Sequence, residues 1–426
     1  MLEEGIKINY TQKQKELIVS KEGARQKIKG VPGSGKTLVL AKRAVNAHKR
    51  TGSKVLILTF NLSLKNYIHD KISDVREKFI WDNFYIINYH QFFKTQANNY
   101  NLPITNLDEW ENVNFFKSVE NRIQRFDAIF IDEVQDYKSE WLEIITRYFL
   151  APNGEFVVFG DEKQNIYERP LDDNKEPQIK TIVGRWNRGL NSSKRFTSNI
   201  AYLAKQFQKE FFINKYNIDD IDISQTALDF ETKAIEYYSF EEWTHEDIVN
   251  SMFDVIKKHN INPSNIGILN STIETIRGLD YLIRKKTKEK TRTTFETQEV
   301  YNHLLNNETN RVKNKKRRGK LLNDKLETVR RNKKNHFWMN TGTMKLSTIH
   351  SFKGWEIHSL FLLIEKMENQ NEFMKSELIY TGLTRARVNL FVFNLGNDKR
   401  YDSFFRRYIK NTTDVLQKKY AEECFY

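Results

Sequence analysis

The chain of 426 residues is short of several things. It has one cysteine, Cys424, which excludes an intramolecular disulfide framework and suits a reducing compartment. Six prolines and seventeen glycines are few for this length. That excludes a collagen-like or low-complexity chain and favours regular helices and strands. No run of about 18 apolar residues occurs, so no spanning helix and no membrane partner are expected. The opening MLEEGIKINYTQKQ is charged and polar, unlike a secretory signal. These absences predict a cytoplasmic protein. Its 39% of hydrophobic residues suffices for substantial cores, and its length suits two or three domains.

What is abundant is positive charge, and it is unevenly placed. The net charge of +14 suggests a polyanionic partner without choosing between nucleic acid and a membrane surface. Between Arg284 and Lys334 there are eighteen Lys and Arg against six Asp and Glu, a local excess of twelve. The remaining chain is nearly neutral. The stretch contains NKKRRGK at 314–320 (with Lys315, Lys316, Arg317 and Arg318) and RRNKK at 330–334. Apolar residues recur through it at roughly helical spacing, so two short basic helices are expected. Such a segment reads as a grip on a phosphate backbone, or as a solvated basic surface or protein-docking arm.

Residues 30–37 read GVPGSGKT and fit the phosphate-loop pattern G-x-x-x-x-G-K-[ST] at every fixed position. Gly30, Gly33 and Gly35, with Ser34 between them, let the backbone turn tightly and offer its N–H groups to an anion. The run LVLAKRAV that follows is helical and would point its positive dipole end at the same place. In this pattern Lys36 reaches the β- and γ-phosphates of a nucleotide and the Thr37 hydroxyl holds Mg²⁺.

Buried-type strands are expected at 54–60, 84–90, 127–131 and 155–160, with helices at 62–79 and 140–149 between them. A second alternation follows. Its strands are at 234–240, 265–269, 344–349, 360–364 and 390–394, and its helices at 198–211, 241–258, 273–286 and 376–387. This argues an α/β protein with two parallel sheets, each flanked by helices. The first domain is placed at 1–175, with a minimal insertion at about 91–126. The second is placed at 176–426 and is interrupted by the basic insertion at about 284–340. The strand DAIFI delivers Asp132 and Glu133 at its carboxyl end, where ligands bind in such sheets. Asp132 would complete the Mg²⁺ site begun by Thr37, and Glu133 would orient or deprotonate the attacking water. The alternative is an acidic helix start.

Taken together, GVPGSGKT and the later IDEVQD resemble a superfamily 1 helicase, and further motifs narrow the resemblance to the UvrD/Rep type. GDEKQNIY at 160–167 is similar to that family's GDxxQxIY, and LNSSKRFTSNI at 190–200 to LxxNYRSTxNI. STIHSFKGWE at 347–356 is similar to TxHxxKGLE, and YTGLTRA at 380–386 to YVAxTRA. The motifs stand in the family's order and span residues 14–387.

The resemblance implies two RecA-like P-loop domains and an ATP- and Mg²⁺-dependent motor that moves along single-stranded or tailed duplex DNA. By the same resemblance Gln14 reads adenine, although a solvated helix glutamine is the alternative. Gln164 senses the γ-phosphate, Arg195 and Arg385 are arginine fingers, and Glu356 contacts the nucleotide sugar. Phe60, Tyr89 and Tyr167 stack on bases, each with a bland alternative as core. Thr59, His90, Thr348, His350 and Ser351 contact the phosphates of the strand, and Asn61 stands in the same DNA-contacting motif as Thr59 and Phe60. Arg387 reads mainly as a helix C-terminus.

The chain departs from the family in three places. Leu38 and Lys194 stand where an Arg and a Tyr clamp adenine, which affects base selectivity. Both accessory insertions are much reduced. Because TIHSFKGWE resembles the 3′→5′ branch more than the branch moving oppositely, a 3′→5′ translocase or helicase is expected. The rival is a nucleic-acid-gated ATPase switch or regulatory subunit working with a partner such as a nuclease. An RNA helicase of similar core is a third reading. The motifs leave repair, replication restart, plasmid maintenance and phage defence equally open.

Overall fold

The computed structural model of the protein describes residues 8–75, 77–193, 195–219, 221–223, 233–308, 315–365 and 374–415. Lys194, Asn314 of NKKRRGK and Cys424 lie outside them. Among the described residues no helix is long and apolar enough to cross a membrane. The chain divides into two compact units, Met1–Phe196 with Gln208–Thr226, and Thr197–Phe207 with Ala227–Tyr426.

The first unit contains α1 (Gln12–Leu17), β1 (Arg25–Gly30), α2 (Lys36–Thr51), β2 (Val55–Thr59) and α3 (Leu64–Ser73). It continues with β3 (Phe84–Asn88), α4 (Tyr89–Asn99), β4 (Phe126–Ile131), α5 (Ser139–Ile144), β5 (Leu150–Gly160) and β6 (Asn187–Leu190). Two short strands, β7 (Ser192–Ser193) and β8 (Asp222–Ile223), pair with each other. The main sheet has the order β3-β2-β4-β5-β1-β6, and every pair in it is parallel. Because β6 lies against β1, chain beyond residue 175 still belongs to this sheet.

The strands read as unbroken apolar runs because both faces are covered. Their side chains alternate between two cores with the strand period of two. Leu56, Leu58, Ile129, Ile131, Phe156 and Val158 enter one core with Phe92 and Phe93 of α4 and Trp141 of α5. Val55, Ile57, Ala128, Phe130, Val157 and Phe159 enter the other with Leu40 and Ala44 of α2 and Ile68 of α3. The segment between α4 and β4 holds only short 3-10 turns, and it sends Phe116 and Val119 into the first of these cores.

The second unit begins with most of α6 (Ser198–Phe211), whose end belongs to the first. It then contains β9 (Ile235–Phe240), α7 (His245–Lys258), β10 (Ile266–Asn270), α8 (Ile273–Thr287), β11 (Arg292–Thr293), α9 (Gln298–His303) and α10 (Lys315–Asn335). After these come β12 (Lys345–Thr348), α11 (Ile349–Phe352), β13 (Ile357–Ile364), α12 (Ser376–Leu383), β14 (Ala386–Leu395), α13 (Lys399–Tyr408) and β15 (Asn411–Val415). Its sheet, β11-β12-β10-β13-β14-β9-β15, is also parallel throughout. Two parallel sheets flanked by helices are what the alternation predicts, and they make the two-domain RecA-like α/β fold that the resemblance implies.

Two local expectations need correction. The basic stretch does not form two short helices: both of its basic runs sit on the single 21-residue helix α10. The helix expected over 376–387 stops at Leu383, and Ala386 already opens β14. Thr384 and Arg385 form the turn between them, because strand pairing with β13 captures the chain from Ala386 onward.

Buried charge ties the first unit together beneath the phosphate loop. Arg43 of α2 is 1% exposed. Its Nε meets Glu155 Oε1 of β5 at 2.6 Å, and its Nη1 donates to the Leu17 carbonyl at 3.0 Å and to Gln26 Oε1 of β1 at 2.6 Å. Glu155→Gln keeps the shape and strands the buried guanidinium. This should destabilise the first unit by about 3 kcal/mol, read as a lower urea midpoint for its unfolding. A midpoint within error of wild type would show that the pair is dispensable.

Candidate nucleotide site and strand-contacting residues

The phosphate loop leaves β1 at Gly30 and enters α2 at Lys36. Gly33 and Gly35 have φ of 78° and 85°, left-handed values that favour glycine. Space alone would also exclude a side chain at Gly33, where a Cβ would lie 2.4 Å from the Cβ of Arg195 and 2.5 Å from Ser193 Oγ. Lys36 is buried, and its Nζ donates to the Gly30 carbonyl at 2.7 Å. Gln14 lies against the loop: its Nε2 donates to Ser34 O at 3.0 Å, and its Oε1 accepts the Thr11 N–H at 3.0 Å as part of the α1 capping box. Both ends of its amide are thus engaged in holding the loop and its own helix. At 3% exposed it is not the solvated helix glutamine of the alternative reading.

The acidic residues arrive from neighbouring strand ends. The Asp132 N–H donates to Leu58 O of β2, which fixes the carboxylate just past β4. Thr37 Oγ1 donates to Asp132 Oδ2 at 2.9 Å, and the N–H of Glu133 donates to Asp132 Oδ1 at 3.0 Å. Burial, and then the charge of Glu133, push the Asp132 carboxyl up to about 7 against these stabilising bonds. Glu133 has a left-handed φ of 53°, a conformation costly for a non-glycine residue and characteristic of functional sites. This turn leads into a short 3-10 segment rather than an acidic α-helix start.

Gln135, which sequence reasoning did not single out, connects the parts. Its Nε2 donates to Glu133 Oε2 at 2.5 Å, and its Oε1 accepts the Asp161 N–H at 3.1 Å. Asp161 Oδ2 in turn accepts from Gln164 Nε2 at 2.8 Å. Burial opposes ionisation of Asp161, but Lys36, Lys163, the Gln164 hydrogen bond and Lys29 together hold its pKa below the ordinary carboxylate value. The only advance signal for Gln135 was its place inside IDEVQD, two residues after Glu133. Among the described residues no group of three or more His, Cys, Asp and Glu side chains could by itself hold a metal ion. Thr37 and Asp132 nevertheless place two hard oxygen donors side by side, and they fit a Mg²⁺ that also takes phosphate and water oxygens.

The first unit also carries a dense aromatic cluster around Trp141, a second residue the sequence did not flag. Its ring stacks on Tyr89 at 4.7 Å and on Phe60 at 6.0 Å, and His90 meets it edge-on at 4.9 Å. Tyr167 packs on Phe60 at 4.8 Å. Tyr89 is 1% exposed and donates its hydroxyl to Trp110 O, so the core alternative holds for it and base stacking does not. Phe60, His90 and Tyr167 are half-buried on the rim. Thr59 is buried and donates to the carbonyl of Asn61, whose side chain receives Ser63. These two shape the turn after β2.

In the second unit Thr348 caps α11 by accepting the Ser351 N–H at 3.2 Å, and both side chains are buried. His350 is half-buried. Arg385 is 1% exposed. Its Nε donates to Thr381 O at 2.9 Å and its Nη2 to Thr384 Oγ1 at 3.2 Å. Glu356 is half-exposed, 3.9 Å from Arg387 on β14; Arg387 is therefore a strand residue and not a helix terminus. The C-terminal half of α10 is tied down by Leu326 and by Arg330, which binds Glu296 at 2.7 and 2.8 Å beside Arg277. Its opening residues Lys315, Lys316 and Arg317 are exposed, and Arg318 is half-buried.

Residues 14–170 match the family model of an AAA domain. The phosphate loop, Asp132, Glu133 and Gln164 all lie within the matched residues. A search of curated proteins finds no match. Among solved structures, S. cerevisiae Dbp5 bound to RNA and ADP BeF3 aligns at 11% identity and a TM-score of 0.46, over 95% of this chain and 89% of that one.

The local electrostatics of α11 have a measurable consequence. Burial, reinforced by the Lys353 and Lys334 ammoniums, pushes His350 down to about 4. A free imidazole titrates near about 6.5. Between these values the unfolded chain binds the extra proton, so the second unit loses stability as pH falls from about 6.5 toward about 4 and is insensitive to His350 above that window. His350→Gln should flatten this part of the melting-temperature profile; an unchanged slope would show that His350 is protonated without penalty.

Proposed function

We propose that the protein is an ATP-dependent motor on single-stranded DNA, a translocase or helicase moving 3′→5′ on single strands or tailed duplexes. The observation that carries this reading is the hydrogen bond between Thr37 and Asp132, with Glu133 and Gln164 connected beside it through Gln135 and Asp161. A bare anion-binding loop has no use for that chain. Thr37 and Asp132 would hold a Mg²⁺, which would supply positive charge against the negative charge of the phosphates.

The backbone of Gly30, Gly33, Ser34 and Gly35 cradles the phosphates, and Lys36 exchanges its bond to the Gly30 carbonyl for a phosphate oxygen, a stronger charged acceptor. Gln14 holds the loop in shape. Glu133 orients the attacking water, with Gln135 holding its carboxylate in place. Gln164 reports the γ-phosphate to the turn that ends at Tyr167. Arg195, whose backbone packs on Gly33, is assigned to the transferring phosphoryl. Arg385 is assigned the same role on resemblance. It must first release the oxygens that now bury it. Glu356 is assigned to the nucleotide sugar. Leu38, half-buried in α2, offers no planar cation to stack on adenine.

Phe60, His90 and Tyr167 are proposed to meet bases, and Thr348, His350 and Ser351 the phosphates. With its lowered pKa, His350 offers a neutral hydrogen bond there rather than a charge. The grip is assigned to α10. Lys315–Arg318 place four cations at the positive end of a 21-residue helix dipole, an arrangement a phosphate backbone relieves. A second reading, a DNA-gated ATPase switch serving a partner such as a nuclease, is favoured by the small accessory regions: short turns before β4, and α10 in the second unit.

Lys36→Ala and Glu133→Gln should each abolish DNA-stimulated ATP turnover, with Glu133→Gln keeping nucleotide affinity; full turnover in either would overturn the site. Strand displacement on 3′-tailed duplexes supports the motor, and ATPase without displacement supports the switch. Stronger stimulation by RNA than by DNA would overturn the choice of strand. Replacing Lys315, Lys316, Arg317 and Arg318 by Gln should weaken DNA binding and lower its salt slope by about one unit per lost phosphate contact. The DNA-independent ATPase rate should stay unchanged.

A further inference from the structure

Lys27 and Lys29 stand two residues apart on β1, so their side chains leave the same face of the sheet. Both are buried, at 9% and 7% exposed. Their surroundings differ sharply. Lys29 meets Glu162 Oε1 at 2.5 Å and Asp219 Oδ1 at 3.6 Å, and the neighbouring Lys163 shares the same two carboxylates at 2.6 and 2.8 Å. That cluster balances two ammoniums with two carboxylates. The Lys27 side chain makes no hydrogen bond or ion pair with a described residue; its ammonium lies 5.8 Å from the centre of the Trp186 ring. A cation removed from water is normally paired, so an unpaired one beside a cavity points to a missing anion.

The cavity is there. Lys27 and Trp186 line a space of about 440 Å³ together with Arg185, Arg188, Glu176 and Asp172. Glu176 is 5% exposed and binds Arg188 through both Nε and Nη2, at 3.1 and 2.6 Å, so these two charges cancel. Asp172 Oδ1 already accepts the N–H groups of Asn174 and Glu176. Against the one remaining carboxylate, Asp172, stand Lys27 and the exposed Arg185, two cations with no ion-pair partner among the described residues. Trp186 is 6% exposed, and its indole N–H also lacks an acceptor.

We propose that this cavity is a second anion site of the first unit, separate from the phosphate loop, and that it takes the phosphate of a small phosphate monoester. Lys27 and Arg185 hold the phosphate, and the remaining volume, within the usual range for small-molecule sites, accommodates a body of mononucleotide size. The site stands on residues that the proposed motor does not use, so it is independent of that reading.

Calorimetric titration of the full chain carrying Lys36→Ala, which weakens the phosphate loop as a competing site, tests the proposal. Inorganic phosphate and adenosine monophosphate are the probes. One saturable site is expected, weakened about tenfold by adding Lys27→Leu and about threefold by adding Arg185→Gln. Lys27→Leu removes an unpaired buried charge, so its melting temperature without ligand should not fall. If it fails to fold, the Arg185→Gln arm decides alone. Equal affinity for the two probes would assign binding to the phosphate; tighter binding of the monophosphate would add the organic body. No binding in the Lys36→Ala background, or binding indifferent to both added substitutions, would overturn the proposal.

Discussion

A buried carboxylate at the end of a strand has to be satisfied, and the first unit is arranged around doing so for Asp132. Its two oxygens are taken by the Thr37 hydroxyl and the Glu133 N–H. Those bonds are available because β2, β4, β5 and β1 lie side by side in parallel and end together. If any one strand shifted by a residue, its side chains would change faces and the carboxylate would lose its partners. The cost of burying this charge beside Glu133 persists in the raised pKa, and it leaves the site ready for a cation.

From that point a polar chain runs through Gln135, Asp161 and Gln164 to the turn carrying Tyr167, which packs on Phe60 in the aromatic cluster. Trp141 is the hub of the cluster, and its ring partners come from the turn after β2 (Phe60) and from the start of α4 (Tyr89 and His90). A change in what Glu133 and Gln164 bind thus has a continuous physical route to the rim residues Phe60, His90 and Tyr167. The route consists of hydrogen bonds and ring contacts inside one unit.

Charge is handled differently at three depths. Arg43 and Glu155 cement α2 to the sheet in full burial, and Lys29 and Lys163 share Glu162 and Asp219 in a balanced cluster. The basic helix α10 is held at one end by Arg330, Glu296 and Leu326 and leaves Lys315, Lys316 and Arg317 in solvent. Lys27 belongs to neither class, being buried but unbalanced.

Short-range spacing carried most of what was legible in the sequence. GVPGSGKT, the acidic pair after DAIFI, the buried apolar runs and the α/β alternation depend on residues adjacent along the chain, where the backbone itself fixes geometry. Four features became visible only in three dimensions, because each depends on partners from distant segments. Strand pairing with β13 ends α12 at Leu383 and leaves Arg385 buried in a turn. Packing among α4, α5 and the turns before β4 puts Tyr89 in the core and Trp141 at its centre. Gln14 is turned onto Ser34 by its own helix cap. The two alike lysines of β1 are told apart by carboxylates more than a hundred residues away, which no local pattern can announce.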